Sequence, residues 1–330
     1  MAPQRPKPHM ESILLSKPFQ FLVGPKKKEF ALHRTAVSRL SKSLDQLVNG
    51  RMREAKEQCV SWEDTDEKTF IRFGEWAYTG DYTPGEPEIL LDASQIAPSQ
   101  QDSADAADVA DVPQDQPMVN SLRLLLDLSN EDLDGPSTHC NGYAWGYSTH
   151  QYACTMCKGS HYPSACPKCR VHRHTFCAEC RKGPAMASTT HRMMYKFDSN
   201  DGYISQVAIQ TPRVNEDRCE DFTEVYLSHA KLYVLADKYD IPELRQLCLH
   251  YLHATLITFN LYPDSIEDII NLVKYAFKNT VERDKLRNLL VQYCACCTKD
   301  ITKSALFQDL VAECPDFGSD MMKEIGRYIN

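Results

Sequence analysis

No uninterrupted apolar stretch in this chain reaches the ~18 residues that a membrane helix needs. The opening residues, MAPQRPKPHMESILLSKPF, lack the apolar core of a signal peptide, so the expected compartment is the cytoplasm or nucleus, with no membrane partner. There is no Gly-rich phosphate loop, no nucleophile elbow and no carboxylate pair spaced for acid–base work, and an enzyme is not expected. A surplus of positive charge is also missing. The net charge of −8 argues against a protein that coats nucleic acid, and Lys26-Lys27-Lys28 is short enough to be a solvated turn. Cysteine, by contrast, is plentiful: the chain has 14, and in a reducing compartment metal binding or burial suits them better than disulfides.

The stretch that organises the chain is Val60–Tyr82. Val60-Ser61-Trp62 alternates as a half-buried strand does, and Asp64 or Thr65 then stands where a helix cap belongs, with Asp66 and Glu67 in the first turn. Phe70, Phe73, Trp76 and Ala77 recur at helical spacing, and Gly80 ends the helix. Upstream, Phe19–Val23 and Glu29–Leu32 read as a hairpin around Gly24–Lys28, followed by short helices at His33–Leu40 and Ser43–Val48. Arg51–Gln58 leads into the organising stretch. Far downstream, Leu232, Leu235, Ala236 and Tyr239 form one helical face, and Leu244, Leu247, Cys248, Tyr251 and Leu252 another, with Pro242 in the second helix's first turn. Each block alone leaves an apolar face bare, so one α+β domain, helix-rich with a small sheet, is expected from both.

Phe30-Ala31-Leu32-His33-Arg34, Ser41, Tyr78-Thr79-Gly80 and the downstream Ala236-Asp237-Lys238-Tyr239-Asp240-Ile241 resemble the BTB/POZ domain, particularly its fungal versions. The match covers about 100 residues in two blocks. Residues 1–16 are Pro- and charge-rich, so a disordered N-terminus is expected there, and the resemblance implies a first BTB part over 17–84 and closing helices over 222–257. Helices in 258–330 resemble the extension that follows BTB domains in adaptor proteins. His33 is structural in such sequences. Met52-Arg53-Glu54 falls where cullin-binding BTB domains carry a hydrophobic-x-Glu motif, so the implied function is a protein–protein adaptor linking a substrate to a cullin-based ubiquitin ligase, and BTB homodimers are a further implied partnership. The plainer alternative has Met52 covering the domain's own core and Glu54 solvated.

Between the blocks lies an insertion, roughly residues 84–221. Residues 85–137 form an acidic low-complexity linker in which Arg123 is the only basic residue. Within it Met118–Leu128 is amphipathic, suited either to a partner or to packing on its own domain. Residues 138–200 hold the strongest chemical signal: Cys154-x2-Cys157, Cys166-x2-Cys169 and Cys177-x2-Cys180, interleaved with His161, His172 and His174. A CxxC turn aims two thiolates at one point about 2.3 Å from each, as tetrahedral zinc requires. Two structural Zn2+ ions are expected, held by the six cysteines with His174 and then His161, ahead of His172; Cys140 and His150 are outside candidates.

The division of ligands stays open. Cys154/Cys157 with Cys177/Cys180 has the outer spacing of a zinc ribbon, whereas Cys166/Cys169 followed by His174-x2-Cys177-x2-Cys180 resembles part of a RING-type cross-brace whose fourth pair is missing. Cys154-x2-Cys157-x3-His161-x4-Cys166 approximates a zinc knuckle. The eight Lys and Arg residues from Lys158 to Lys196 face a single acid, Glu179, which keeps a second function in view: a zinc-containing nuclear regulator that binds DNA or chromatin. Cys294, Cys296 and Cys297 lie too close on one helix to chelate a metal well, and are expected to pack.

Overall fold

Phe19, Phe21 and Val23 are fully buried while Gln20 and Leu22 between them are half-exposed, the period of two that presses one face of a strand against a core. The structure is a computed structural model describing residues 10–89, 122, 152–153, 160–161, 189–203, 205, 208, 210–215 and 218–329. In it a short helix, α1 (Met10–Leu14), precedes this strand, β1 (Pro18–Val23). Gly24, at a φ of 73° that suits glycine, opens the turn into the antiparallel β2 (Lys28–His33). Helices α2 (Arg34–Ser38), α3 (Lys42–Asn49) and α4 (Arg53–Glu57) carry the chain to β3 (Cys59–Trp62). That strand pairs parallel to β1 on its free edge, giving the order β2-β1-β3. A parallel neighbour needs a crossover, and the three short helices provide it.

Helix α5 (Glu67–Thr79) buries Phe70, Phe73, Trp76 and Ala77 as the periodicity predicts, and ends at Gly80 with φ 83°. Its cap is neither Asp64 nor Thr65. Asp66 accepts the Thr69 N–H at 2.9 Å, because Asp64 is drawn to Lys238 at 2.6 Å and the Thr65 N–H closes a turn on the Trp62 carbonyl.

The insertion leaves and re-enters through a narrow neck. Strand β4 (Glu88–Ile89) pairs antiparallel with β7 (Glu220–Asp221), on either side of it. Loop-closure entropy grows only with the logarithm of length, so a long excursion between two paired strands costs the domain little. Leu122, inside the amphipathic run Met118–Leu128, is 1% exposed and joins the main core, so that side chain serves its own domain rather than a partner. Tyr152–Ala153 (β5) and Ser160–His161 (β6) pair antiparallel. Helix α6 (Thr189–Asp198), which the sequence groups with the Cys/His segment, buries Met193, Met194 and Phe197 in the same main core.

The second block supplies the missing face of the first. Helices α7 (Thr223–Lys238) and α8 (Pro242–Thr258) pack on each other and α7 packs on α5, with Pro242 in the first turn of α8. Tyr239 stacks on Trp62 with ring centroids 4.5 Å apart, and the Tyr82 hydroxyl meets His229 Nδ1 at 2.7 Å across 147 residues of chain. Tyr251 donates to Asp81 at 2.8 Å beside them. Trp62, Tyr82 and Tyr251 belong to one continuous core, against which Tyr239 packs. The observed class is α+β, helix-rich with a small sheet.

The remaining helices are α9 (Ile266–Asn279), α10 (Lys285–Cys296), α11 (Thr298–Ile301), α12 (Ala305–Glu313) and α13 (Pro315–Ile329). Helix α10 begins at Lys285 because Arg283 is left-handed at φ 63° and Asp284 caps the Leu286 N–H at 2.7 Å. Helix α6 lies against α10 and α13: Arg192 donates to the Tyr328 carbonyl, and Lys196 sits over the Tyr328 ring. Among the described residues no helix is long and apolar enough to cross a membrane.

Asp268 on α9 ties this extension to α7. Its carboxylate accepts the Phe222 N–H at 3.0 Å and the Thr223 hydroxyl at 2.9 Å. Burial pushes its pKa up to about 7, aided by Asp221 and opposed by those two hydrogen bonds. A carboxyl whose folded value lies above its ordinary 3.8 stabilises the fold most fully below that ordinary value, and the contribution is lost as pH rises through about 7. Buried His229 and His253, lowered by desolvation to about 3 and about 4, pull the opposite way below their ordinary 6.5. The readout is therefore a difference: denaturation midpoints of the wild type and Asp268→Asn between about pH 5 and 8. The wild type is expected to lose stability relative to the variant as pH rises. Parallel curves would show that Asp268 is already ionised throughout that range.

Candidate partner-binding site

Arg-Glu-Ala-Lys-Glu in α4 is made of strong helix formers, and Arg53 and Glu57 pair at 2.9 Å one turn apart. That pairing, a hydrogen bond foremost, raises the Arg53 pKa further. Gln58, left-handed at φ 58°, ends the helix and turns the chain into β3. Helix α4 is fastened from below by Arg34, whose Nη2 donates to the Ala55 carbonyl at 3.5 Å while its guanidinium lies 5.8 Å from the centre of the Phe19 ring. The helix buries no residue of its own and lies against α3 and β3.

Met52 occupies the N-cap position of α4 and is 68% exposed, so it does not cover the domain's own core. Glu54 is half-buried, and its carboxylate takes no hydrogen bond or ion pair among the described residues. An exposed methionine is a flexible apolar probe that adapts to a pocket. A half-sheltered carboxylate two residues away adds a hydrogen-bond acceptor beside it.

Cys154, Cys157, Cys166, Cys169, Cys177, Cys180 and His174 lie outside the described residues, as do His172, Cys140 and His150, and His161 falls in β6 opposite Tyr152. Among the described residues no three His, Cys, Asp or Glu side chains are grouped to hold a metal ion. Cys294, Cys296 and Cys297 are all buried, and desolvation pushes their thiols up, that of Cys297 to about 12, which leaves them inert packing groups. His33 is likewise taken by structure. Its backbone N–H donates to the Tyr78 hydroxyl at 3.0 Å, and its Nδ1 meets the same oxygen at 2.9 Å.

A surface cleft of about 380 Å³ lies between Tyr233, Arg245 and Leu249 on one side and Val281–Lys285 on the other. Its charges are largely spent internally. Arg245 is paired with Asp237 and Asp240, and Asp284 accepts from the Tyr233 hydroxyl and from the helix it caps. Helix α4 itself escapes the sequence reading; its signal is the Arg53–Glu57 spacing, one turn of helix squeezed between an exposed Met and a strand. Set against known proteins, the chain matches no protein family, no curated protein and no solved structure.

Proposed function

We propose that the chain is a non-catalytic adaptor built on a BTB/POZ-type domain, with a zinc-stabilised Cys/His insertion, and that Met52 and Glu54 engage the N-terminal region of a cullin. The fold reading is supported by a hairpin, short crossover helices, a third strand parallel to the first and an aromatic helix, completed by a helix pair far downstream. The extension α9–α13 adds the helical body expected of an adaptor. The observation that carries the functional reading is the 68% exposure of Met52 at the start of α4, beside a Glu54 carboxylate that takes no hydrogen bond or ion pair among the described residues. An anchor of this kind is spent on a partner because it contributes little to its own fold.

The test is calorimetric binding of the full chain to a cullin N-terminal domain. Met52→Ala is expected to weaken binding by ~2 kcal/mol, roughly 30-fold, with little change in melting temperature. A Met52→Ala/Glu54→Ala double variant that binds like the wild type would remove the site. A wild type that does not bind at all would shift the reading to a nuclear regulator whose main contact surface is the basic zinc segment.

A further inference from the structure

The surroundings of Met52 say what kind of surface receives it. Over residues 34–58 the chain carries six cations (Arg34, Arg39, Lys42, Arg51, Arg53 and Lys56) against three acids, Asp45, Glu54 and Glu57, in a protein whose net charge is −8. Lys42, Arg51, Arg53 and Lys56 are exposed, and of these only Arg53 has an acidic partner among the described residues. Three of the four lie within four positions of Met52, on the same five-residue helix or just before it. Arg34 reaches the underside of that helix at Ala55, adding its charge from α2.

At the opposite end of the first block the arrangement differs. Lys27, Lys28 and Lys238 are matched by Glu63, Glu67 and Asp64 at 2.6–3.0 Å. Those three lysines are neutralised, whereas Arg51 and Lys56, beside the exposed methionine, have no acidic partner among the described residues. Resting on the adaptor reading above, we infer that the partner pocket filled by Met52 is rimmed by carboxylates, and that the cations of α4 steer the two together. An apolar anchor sets how long the complex lasts, because its desolvated contact must be broken on leaving. Unpaired rim charges act earlier, on the rate of encounter, and their reach shrinks with salt to a Debye length of ~10 Å at 0.1 M. Glu54, half-buried among these cations, then faces a donor within the pocket rather than its acidic rim.

The experiment measures association and dissociation rates of the full chain with a cullin N-terminal domain across a salt series. The wild-type association rate is expected to fall steeply with added salt. Arg51→Glu/Lys56→Glu should slow association at least ~10-fold at low salt and flatten the salt dependence, while dissociation changes little. Met52→Ala should do the reverse, speeding dissociation with association nearly unchanged. Arg51→Gln/Lys56→Gln, which removes charge without reversing it, should fall between, and it keeps the test open if the reversal disturbs folding. A wild type that binds with rates indifferent to salt and to both charge variants overturns the acidic rim and leaves the adaptor reading standing. A wild type that does not bind overturns both.

Discussion

Elemental analysis of the purified chain is expected to return two zinc ions per molecule, and chelation is expected to unfold the Cys/His segment. Cys154/Cys157, Cys166/Cys169 and Cys177/Cys180 each present two soft thiolates with the two-residue spacing that turns both sulfurs toward one centre, and His174 and His161 bring the donor count to eight, enough for two four-coordinate sites. So short a segment has little apolar surface to bury, so metal binding should supply most of its folding free energy, on the order of 10 kcal/mol per structural site. Thiolates must lose protons to bind, so zinc retention should fall in acid. Cys157→Ser should lower the zinc content toward one ion per chain, and the thermal transition of the α+β core should survive chelation, because its aromatic contacts involve none of these ligands. Less than one zinc per wild-type chain would end this account.

The second large effect is expected at Trp62. The side chain is 2% exposed, sits within 5.0–5.7 Å of the Phe21, Phe70 and Phe73 rings, and stacks on Tyr239 from the second block. Trp62→Ala should cost ~3–5 kcal/mol, a large share of the ~5–15 kcal/mol that holds a domain folded. Trp62→Phe keeps a ring against Tyr239 and removes an indole N–H that has no hydrogen-bond partner among the described residues, so it should cost clearly less. Urea titrations read both. If Trp62→Ala unfolds at the wild-type midpoint, the contact with Tyr239 does not join the two blocks into one cooperative unit.

How much of this was readable in advance varied with the physics involved. The buried face of α5 was legible because Phe70, Phe73, Trp76 and Ala77 repeat at a period that only a helix turns to one side. Its cap, Asp66, lies one or two residues beyond the expected Asp64 or Thr65, since all three are capping types and the first two are engaged elsewhere, Asp64 by Lys238 of the other block and Thr65 in a turn on Trp62. Strands β4 and β7 are two residues each and carry no pattern; their pairing depends on where the insertion leaves and returns. Met193, Met194 and Phe197 did carry helical spacing, but stood beside a cysteine-rich stretch that drew the reading toward metal. At the candidate site, the identity of Met52 and Glu54 was plain in the sequence. The exposure of one and the shelter of the other were not, because both follow from how Arg34 and β3 seat a five-residue helix.

The pairing of Tyr82 with His229 has a consequence for how the protein is made. A ribosome releasing ~5–20 residues per second delivers the second partner of this contact only after 147 further residues, roughly 7 to 30 seconds later. During that interval Phe21, Phe30 and Trp62 already stand against Phe70 and Phe73, but the part of α5 that packs on α7 has emerged without its partner. Synthesis of this polypeptide therefore includes an obligatory wait with a sticky surface on display, long compared with the microseconds to seconds in which small domains fold. Chaperone occupancy of ribosome-bound chains should accordingly rise once α5 clears the exit tunnel and fall when α7 and α8 do.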